Sequence, residues 1–423
     1  LAALSIVLLV AGVAGAVVRP FGLPAWVVPL VAAGADLLAG AAKIGGAHGA
    51  VHALHQLDQP IGFLLAAVPL AVLLDRLGFF AAAAELMSRG RAGTGGLWIL
   101  AALVTTVLNL DAGVVLLTPL YVNIARRRGL DPLVLALQPV ILSWLASSAL
   151  PVSNLTNLIA VSSTGARTSE FVGHLGLPSL VAVIVGWYCY RRLTRPRPYG
   201  AAPAEAAAPA DGAAPAEAAA SPDAAVAPGA EARRALRIGG AVVGVVLVGF
   251  VGGRSVGVDA WEVALVADAV LLVVVRRPPW RSVPVGTALV AASLAVLASA
   301  AVTHLDVAGL LGGDDLLGLA RTAGVTAVLA NVVNNLPALL VVLPAVGSRP
   351  DPSLWATLVG VNMGPVLLVT GTLASLLWLD TLRRLGVAAS GRDLTRVGAR
   401  VGLPASACGL ATLLGLHAAG LAR

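Results

Sequence analysis

Cysteine is nearly absent from this 423-residue chain, which carries only Cys189 and Cys408. Two thiols are too few for a disulfide framework or a thiolate metal cage. Charge is scarce as well, at 12% of residues against 58% hydrophobic, and aromatics make up 4%. No Walker-type phosphate loop and no HExxH zinc motif occurs, so neither nucleotide-driven nor zinc-assisted hydrolysis has a motif to rest on. A membrane enzyme or a structural scaffold is therefore a remote reading, and no cofactor and no metal are expected. His48, His52 and His55 are spaced by four and three residues in a Gly-rich stretch, a weak pattern for a metal site.

What is present is apolar length. Runs long enough to cross about 30 Å of hydrocarbon recur along the whole sequence, and mean hydropathy is +0.91. The net charge of +7 does not point to nucleic acid, because the arginines sit in short loops between apolar runs. That is the positive-inside signature of a multi-pass protein of the cell membrane. Leu1 to Val18 is apolar, without a basic leader or a small-residue cleavage site, and reads as a first span.

Charge bookkeeping gives the topology. Spans are expected at Ala2–Val18, Ala25–Leu38 and Ile61–Leu77, with a Gly/His loop from Ala39 to Gln59. Leu97–Ile124 is apolar but interrupted at Asn109, Asp111 and Gly113, and arginines flank it at both ends. A re-entrant hairpin with its tip at Asn109–Gly113 satisfies that pattern. Leu133–Val161 follows, broken at Ser153–Asn157, and Leu175–Leu193 ends in a basic cluster. Residues 195–236 form an Ala/Pro/Glu stretch with too few large apolar residues to pack, the composition of a disordered cytoplasmic linker. The second half repeats the order. Spans at Ile238–Val251, Trp261–Val275 and Val283–Thr303 precede a hairpin over Leu316–Val346, with its tip at Asn334-Asn335-Leu336-Pro337. A span over Leu354–Leu385, interrupted at Asn362–Thr372, and a last span at Val401–Leu421 complete it. The expected fold is thus an all-α polytopic membrane protein of two inverted-topology repeats, residues 1–194 and 237–423. Each has three spans, a re-entrant hairpin, a broken helix and a final span, the architecture in which substrates bind at the midplane.

Four polar breaks are expected to meet there: Asn109 with Asp111; Ser153, Asn154, Thr156 and Asn157; Asn334 with Asn335, in a run that also holds Asn331; and Asn362 with Thr370, Gly371 and Thr372. Broken helices offer free N–H groups at their N-termini and free carbonyls at their C-termini. Amides and hydroxyls both donate and accept, which suits a neutral, multiply hydroxylated solute. The bland alternative is that these side chains only staple helices together. Asp111 is the one carboxylate at a hairpin tip, and intramembrane acids are proton carriers or cation ligands by default. Asp268, midway along Trp261–Val275, is the second candidate for proton coupling. Asp36 and Asp75 fall near span ends and are expected at the interface.

At these same breaks the sequence resembles the arsenite permease (arsenical pump membrane protein) family of the ion transporter superfamily. The runs that carry the likeness are Asn109-Leu110-Asp111-Ala112-Gly113 with Leu117-Thr118-Pro119, and Leu150-Pro151-Val152-Ser153-Asn154-Leu155-Thr156-Asn157-Leu158. Asn331-Val332-Val333-Asn334-Asn335-Leu336-Pro337-Ala338 and Gly371-Thr372-Leu373-Ala374-Ser375 complete them. The family's Thr-Pro-x-Gly is here Leu368-Val369-Thr370-Gly371, which changes the acceptors at the fourth break. The resemblance implies export of arsenite or antimonite, driven by the proton gradient or by an ATPase partner on the cytoplasmic side. Arsenite at neutral pH is a neutral trihydroxide, in keeping with a site of amides and hydroxyls. The alternative within the superfamily is a carboxylate, sulfate or sodium/proton transporter.

Overall fold

A computed structural model describes residues 2–40, 43, 45, 49–87, 93–194, 229–302, 304–347 and 349–421, and among these no strand occurs. The first half contains α1 (Ala2–Val18), α2 (Val27–Leu38), α3 (Ala50–His55), α4 (Asp58–Arg76), α5 (Phe79–Met87), α6 (Gly93–Leu108), α7 (Leu110–Arg127), α8 (Pro132–Leu145), α9 (Leu155–Thr164) and α10 (Thr168–Leu193). The second contains α11 (Ala230–Gly252), α12 (Ala260–Val275), α13 (Val285–Val302), α14 (Leu316–Val333), α15 (Asn335–Val346), α16 (Pro352–Met363), α17 (Leu373–Arg384), α18 (Gly391–Val397) and α19 (Leu403–Ala418). Six helical stretches among the described residues are long and apolar enough to cross a membrane, and the shorter α1, α2, α6, α8 and α15 are also apolar. The chain is an all-α polytopic membrane protein.

Sequence and structure part company at several boundaries. The expected Gly/His loop turns helical at Ala50, and α3 runs almost directly into α4. His52 and His55 sit on α3 and His48 lies outside the described residues; no group of three metal-ligating side chains occurs among the described ones. α5 forms where only a basic loop is expected, because Phe80, Ala83 and Ala84 bury one face. Most of the 195–236 linker lies outside the described residues, but residues 230–236 belong to the first turns of α11. Asp36, expected at the interface, is buried and accepts a hydrogen bond from Ser5 Oγ at 3.0 Å. The run Gly253–Gly257 spells G-x-S-x-G, yet it follows a helix and forms a 3-10 turn, so the strand–turn–helix of a nucleophile elbow is missing.

Both hairpins form, and each turns on a single residue. α6 and α7 are joined by Asn109 and run antiparallel: Gly113 packs on Thr105, and the Tyr121 hydroxyl reaches back to the Leu97 carbonyl at 2.5 Å. α14 and α15 are joined by Asn334 and pack on each other. Asn109 and Asn334 have φ of 138° and 81°, conformations that an L-residue other than asparagine or aspartate rarely adopts. The broken helices start alike. Asp131 caps α8 through the Leu133 N–H and Asp351 caps α16 through the Leu354 N–H, with Pro132 and Pro352 in the first helical position. Around this core α10 packs along α19, α4 along α12 and α2 along α13.

Candidate functional site

α7, α9, α15 and α17 all begin at a break, and the first residues of all four line one cavity of about 290 Å³. Leu110 and Asp111 come from α7, Leu155 and Thr156 from α9, Asn335 and Leu336 from α15, and Leu373 from α17. Asn154 and Asn334, which cap α9 and α15, line it too. Each N-terminus carries roughly half a positive charge and exposes free N–H groups, so the floor is rich in donors. The lining also has an apolar part, from Val13 and Val17 of α1 and Val290 and Leu294 of α13, and includes Arg19.

Asp111 brings the cavity its one carboxylate, and Arg19 is the single cation on its lining. The Asp111 N–H is held by Asn109 Oδ1 at 2.8 Å, while the carboxylate oxygen Oδ1 is buried with no hydrogen-bond partner among the described residues. A capping acid uses its oxygens on backbone N–H groups. Here Asn109 does the capping and leaves the acid of Asp111 free to face the cavity.

The remaining polar residues stand behind this lining and hold the breaks open. Asn362 Oδ1 accepts from Asn154 Nδ2 at 2.9 Å and Thr156 Oγ1 at 2.7 Å, and its Nδ2 donates to Asn157 Oδ1 at 2.6 Å. Asn157 Nδ2 in turn serves the carbonyls of Ser147 and Leu150 at 2.8 and 3.0 Å. These are carbonyls that the interrupted α8 cannot pair, and at membrane depth each one left bare costs several kcal/mol, on the order of 2–7. Ser153 Oγ donates to the Thr106 carbonyl at 2.8 Å. At the other break Thr370 Oγ1 donates to the Asn331 carbonyl at 3.0 Å, Asn334 Nδ2 to the Thr370 carbonyl at 3.0 Å, and Thr372 Oγ1 caps α17 through the Ser375 N–H at 3.2 Å. Gly371 leaves no room for a side chain, since a Cβ would lie 2.8 Å from that of Pro365.

Asn331 organises this second break more than any residue singled out for the site from sequence. Its Oδ1 accepts from the N–H groups of Leu367 and Leu368 at 3.0 and 3.1 Å, and its Nδ2 donates to the Gly364 carbonyl at 2.9 Å. Thr106 does related work at the first break, where its Oγ1 reaches the Ala146 carbonyl at 3.1 Å. Asn331 stands three residues before a hairpin tip, as does Thr106, and that spacing was the available signal. Asp268 lies on α12, outside the cavity.

A profile of the citrate transporter family, CitMHS, matches residues 2–360. The chain belongs to that family. Among curated relatives of this CitMHS protein, the arsenical pump membrane protein of Escherichia coli K12 is 26% identical over 384 residues, covering 82% of this chain and 84% of its own. The protein of the same name from Yersinia enterocolitica is 25% identical over 385 residues, with the same coverage. A transporter of Mycobacterium tuberculosis is 26% identical over 322 residues, 72% of each chain. Among solved structures, the Alcanivorax borkumensis YdaH transporter aligns over 87% of this chain and 88% of its own, with a TM-score of 0.56 and 15% identity. The fold and the family make the protein a secondary transporter of the ion transporter superfamily.

Proposed function

We propose that this CitMHS protein exports arsenite or antimonite across the plasma membrane as the neutral hydroxide, exchanging it for protons at Asp111. The observation that carries the reading is the cavity lining itself: side-chain amides and a hydroxyl at helix N-termini, with one free carboxylate among them. As(OH)3 presents three hydroxyls that accept from N–H donors and donate to Asn oxygens. Asp111 cycles between an ionised form that accepts from the cargo's hydroxyls on the way out and a protonated form, empty of cargo, that carries a proton back and releases it on the cytoplasmic side. The names of the curated relatives support the choice of cargo. The inverted relation of the two halves, which this mechanism uses for alternating access, is supported by the like construction of the two hairpins and two broken helices. Arg19, Trp26 and Gly286 line the cavity, and Gly286 follows the basic Arg276–Arg281 loop closely in the chain; this supports loading of cargo from the cytoplasm, the side on which the positive-inside pattern puts that loop and the linker. Proton coupling needs no ATPase; an ATPase partner on that side is the other drive consistent with this cargo.

A second reading has its own observation. Four helix N-termini and Arg19 around one cavity favour an anion, and a carboxylate such as citrate fits the description of the family. Expression in an arsenite-sensitive strain separates the two. The first reading predicts resistance that disappears in Asp111→Asn at equal membrane abundance. No gain of resistance, together with carboxylate uptake that needs Arg19, establishes the second.

A further inference from the structure

The ends of α4, α11 and α12 meet in a cleft of about 640 Å³, remote from the candidate site, into which Arg76, Arg234 and Arg277 all project. Glu231 is the single acid on its lining. Arg76 uses Nη1 on the Arg277 carbonyl at 2.7 Å, which ties the end of α4 to the loop after α12. Neither the Arg234 nor the Arg277 guanidinium has an ion pair or hydrogen bond among the described residues. The rest of the lining is apolar, with Leu77 and Val274 beside the arginines. Guanidinium groups over an aliphatic floor at the rim of a span match a phosphate ester whose chains continue into the bilayer.

We propose that this cleft binds the phosphate of an anionic phospholipid from the leaflet on the basic-loop side. Three guanidinium groups line it, those of Arg234 and Arg277 with no partner of their own among the described residues, and Arg–phosphate pairs are frequently bidentate. Clefts of this kind between membrane helices are suited to acidic head groups. The lipid clamps α4, α11 and α12 together, three helices that contribute nothing to the lining of the candidate cavity, so its effect falls on stability first.

Thermal unfolding of the purified full chain in detergent tests this without any transport readout, and so apart from the choice of cargo. Added phosphatidylglycerol should raise the apparent Tm by about 3 °C or more through mass action, while phosphatidylcholine should not. Arg234→Gln/Arg277→Gln should lose the shift and Arg234→Lys/Arg277→Lys should keep part of it. If the double Gln protein does not purify in a single folded form, Arg234→Gln alone should show a reduced shift. A shift reproduced by glycerol 3-phosphate and lost in the Gln variants supports the phosphate site and assigns it a soluble ligand. A shift that ignores head-group charge, or that survives in the Gln variants, overturns the proposal.

Discussion

The break that ends α8 and the break that ends α16 are built to one plan with different side chains. In each, the residue ten positions before the N-cap of the second helix reaches across to the other half: Trp144 Nε1 to Ser375 Oγ at 3.3 Å, and Asn362 Nδ2 to Asn157 Oδ1 at 2.6 Å. In each, a serine of the half's last long helix donates to the carbonyl that closes the first arm, Ser179 to Leu145 at 2.8 Å and Ser406 to Met363. In each, a hydroxyl in the break donates to the carbonyl three residues before a hairpin tip. The tips themselves differ where it matters: two residues beyond Asn109 stands Asp111, and two residues beyond Asn334 stands Leu336. One plan, then, carries two chemically unequal tips. The shared bonds satisfy backbone that broken helices expose in the membrane, and the unshared acid is the feature on which the proposed proton handling by the first half rests.

The largest effect should come from erasing that difference. Asp111→Asn keeps the shape of the tip and removes the ionisable group, and export from cells should fall to the level of a strain without the protein. A variant that still exports at the normal rate would falsify proton handling at this position. Next in size is the hub of the cross-half network. Asn362→Leu strands Asn154, Thr156 and Asn157, each unmet buried polar group costing about 1–3 kcal/mol, so the apparent Tm should drop clearly and transport with it. Trp144→Phe removes one hydrogen bond, worth about 1 kcal/mol, and should unfold only slightly earlier. Equal losses in the two variants would mean that the halves share the load and that the plan is symmetric in energy as well as in form.

Backbone strain offers a finer comparison. Asn334→Gly loses the bonds to Thr370 and Leu336 but keeps the φ of 81° and ψ of 152° accessible, whereas Asn334→Ala must hold a backbone region adopted almost only by glycine, at a cost of about 1–3 kcal/mol. Transport should therefore decline further in the Ala variant than in the Gly variant. The smallest effect should be that of Asp268→Asn. That acid sits on α12, away from the cavity, and transport that stops in this variant would move the proton path out of the first hairpin.

Much of this was legible in the residues. Polar side chains inside apolar runs marked all four breaks, and arginines at both ends of Leu97–Ile124 pointed to a hairpin rather than a crossing. The division of labour was not legible. Asn109, Ser153, Asn157, Asn362, Thr370, Gly371 and Thr372 are off the cavity lining, while Asp111, Asn154, Thr156, Asn334 and Asn335 are on it. Helical periodicity assigns faces only where the helix is regular, and it says nothing about a chain that leaves the helix for nine residues between Leu145 and Leu155. The close packing of the last helix was equally hidden. Gly398 opens a five-residue π-helical stretch, and a Cβ there would sit 1.7 Å from the Val366 carbonyl oxygen. A π-bulge of this kind is a common companion of functional sites, and only the fold brings it against the second break.

Proteoliposomes holding the purified protein alone, with an imposed pH gradient and radiolabelled or mass-detected arsenite, test the central claim most directly. The account predicts arsenite movement against its own gradient, in exchange for protons, that an uncoupler abolishes and that Asp111→Asn lacks. Arsenite movement indifferent to the pH gradient, or equal in the wild type and in Asp111→Asn, would contradict it.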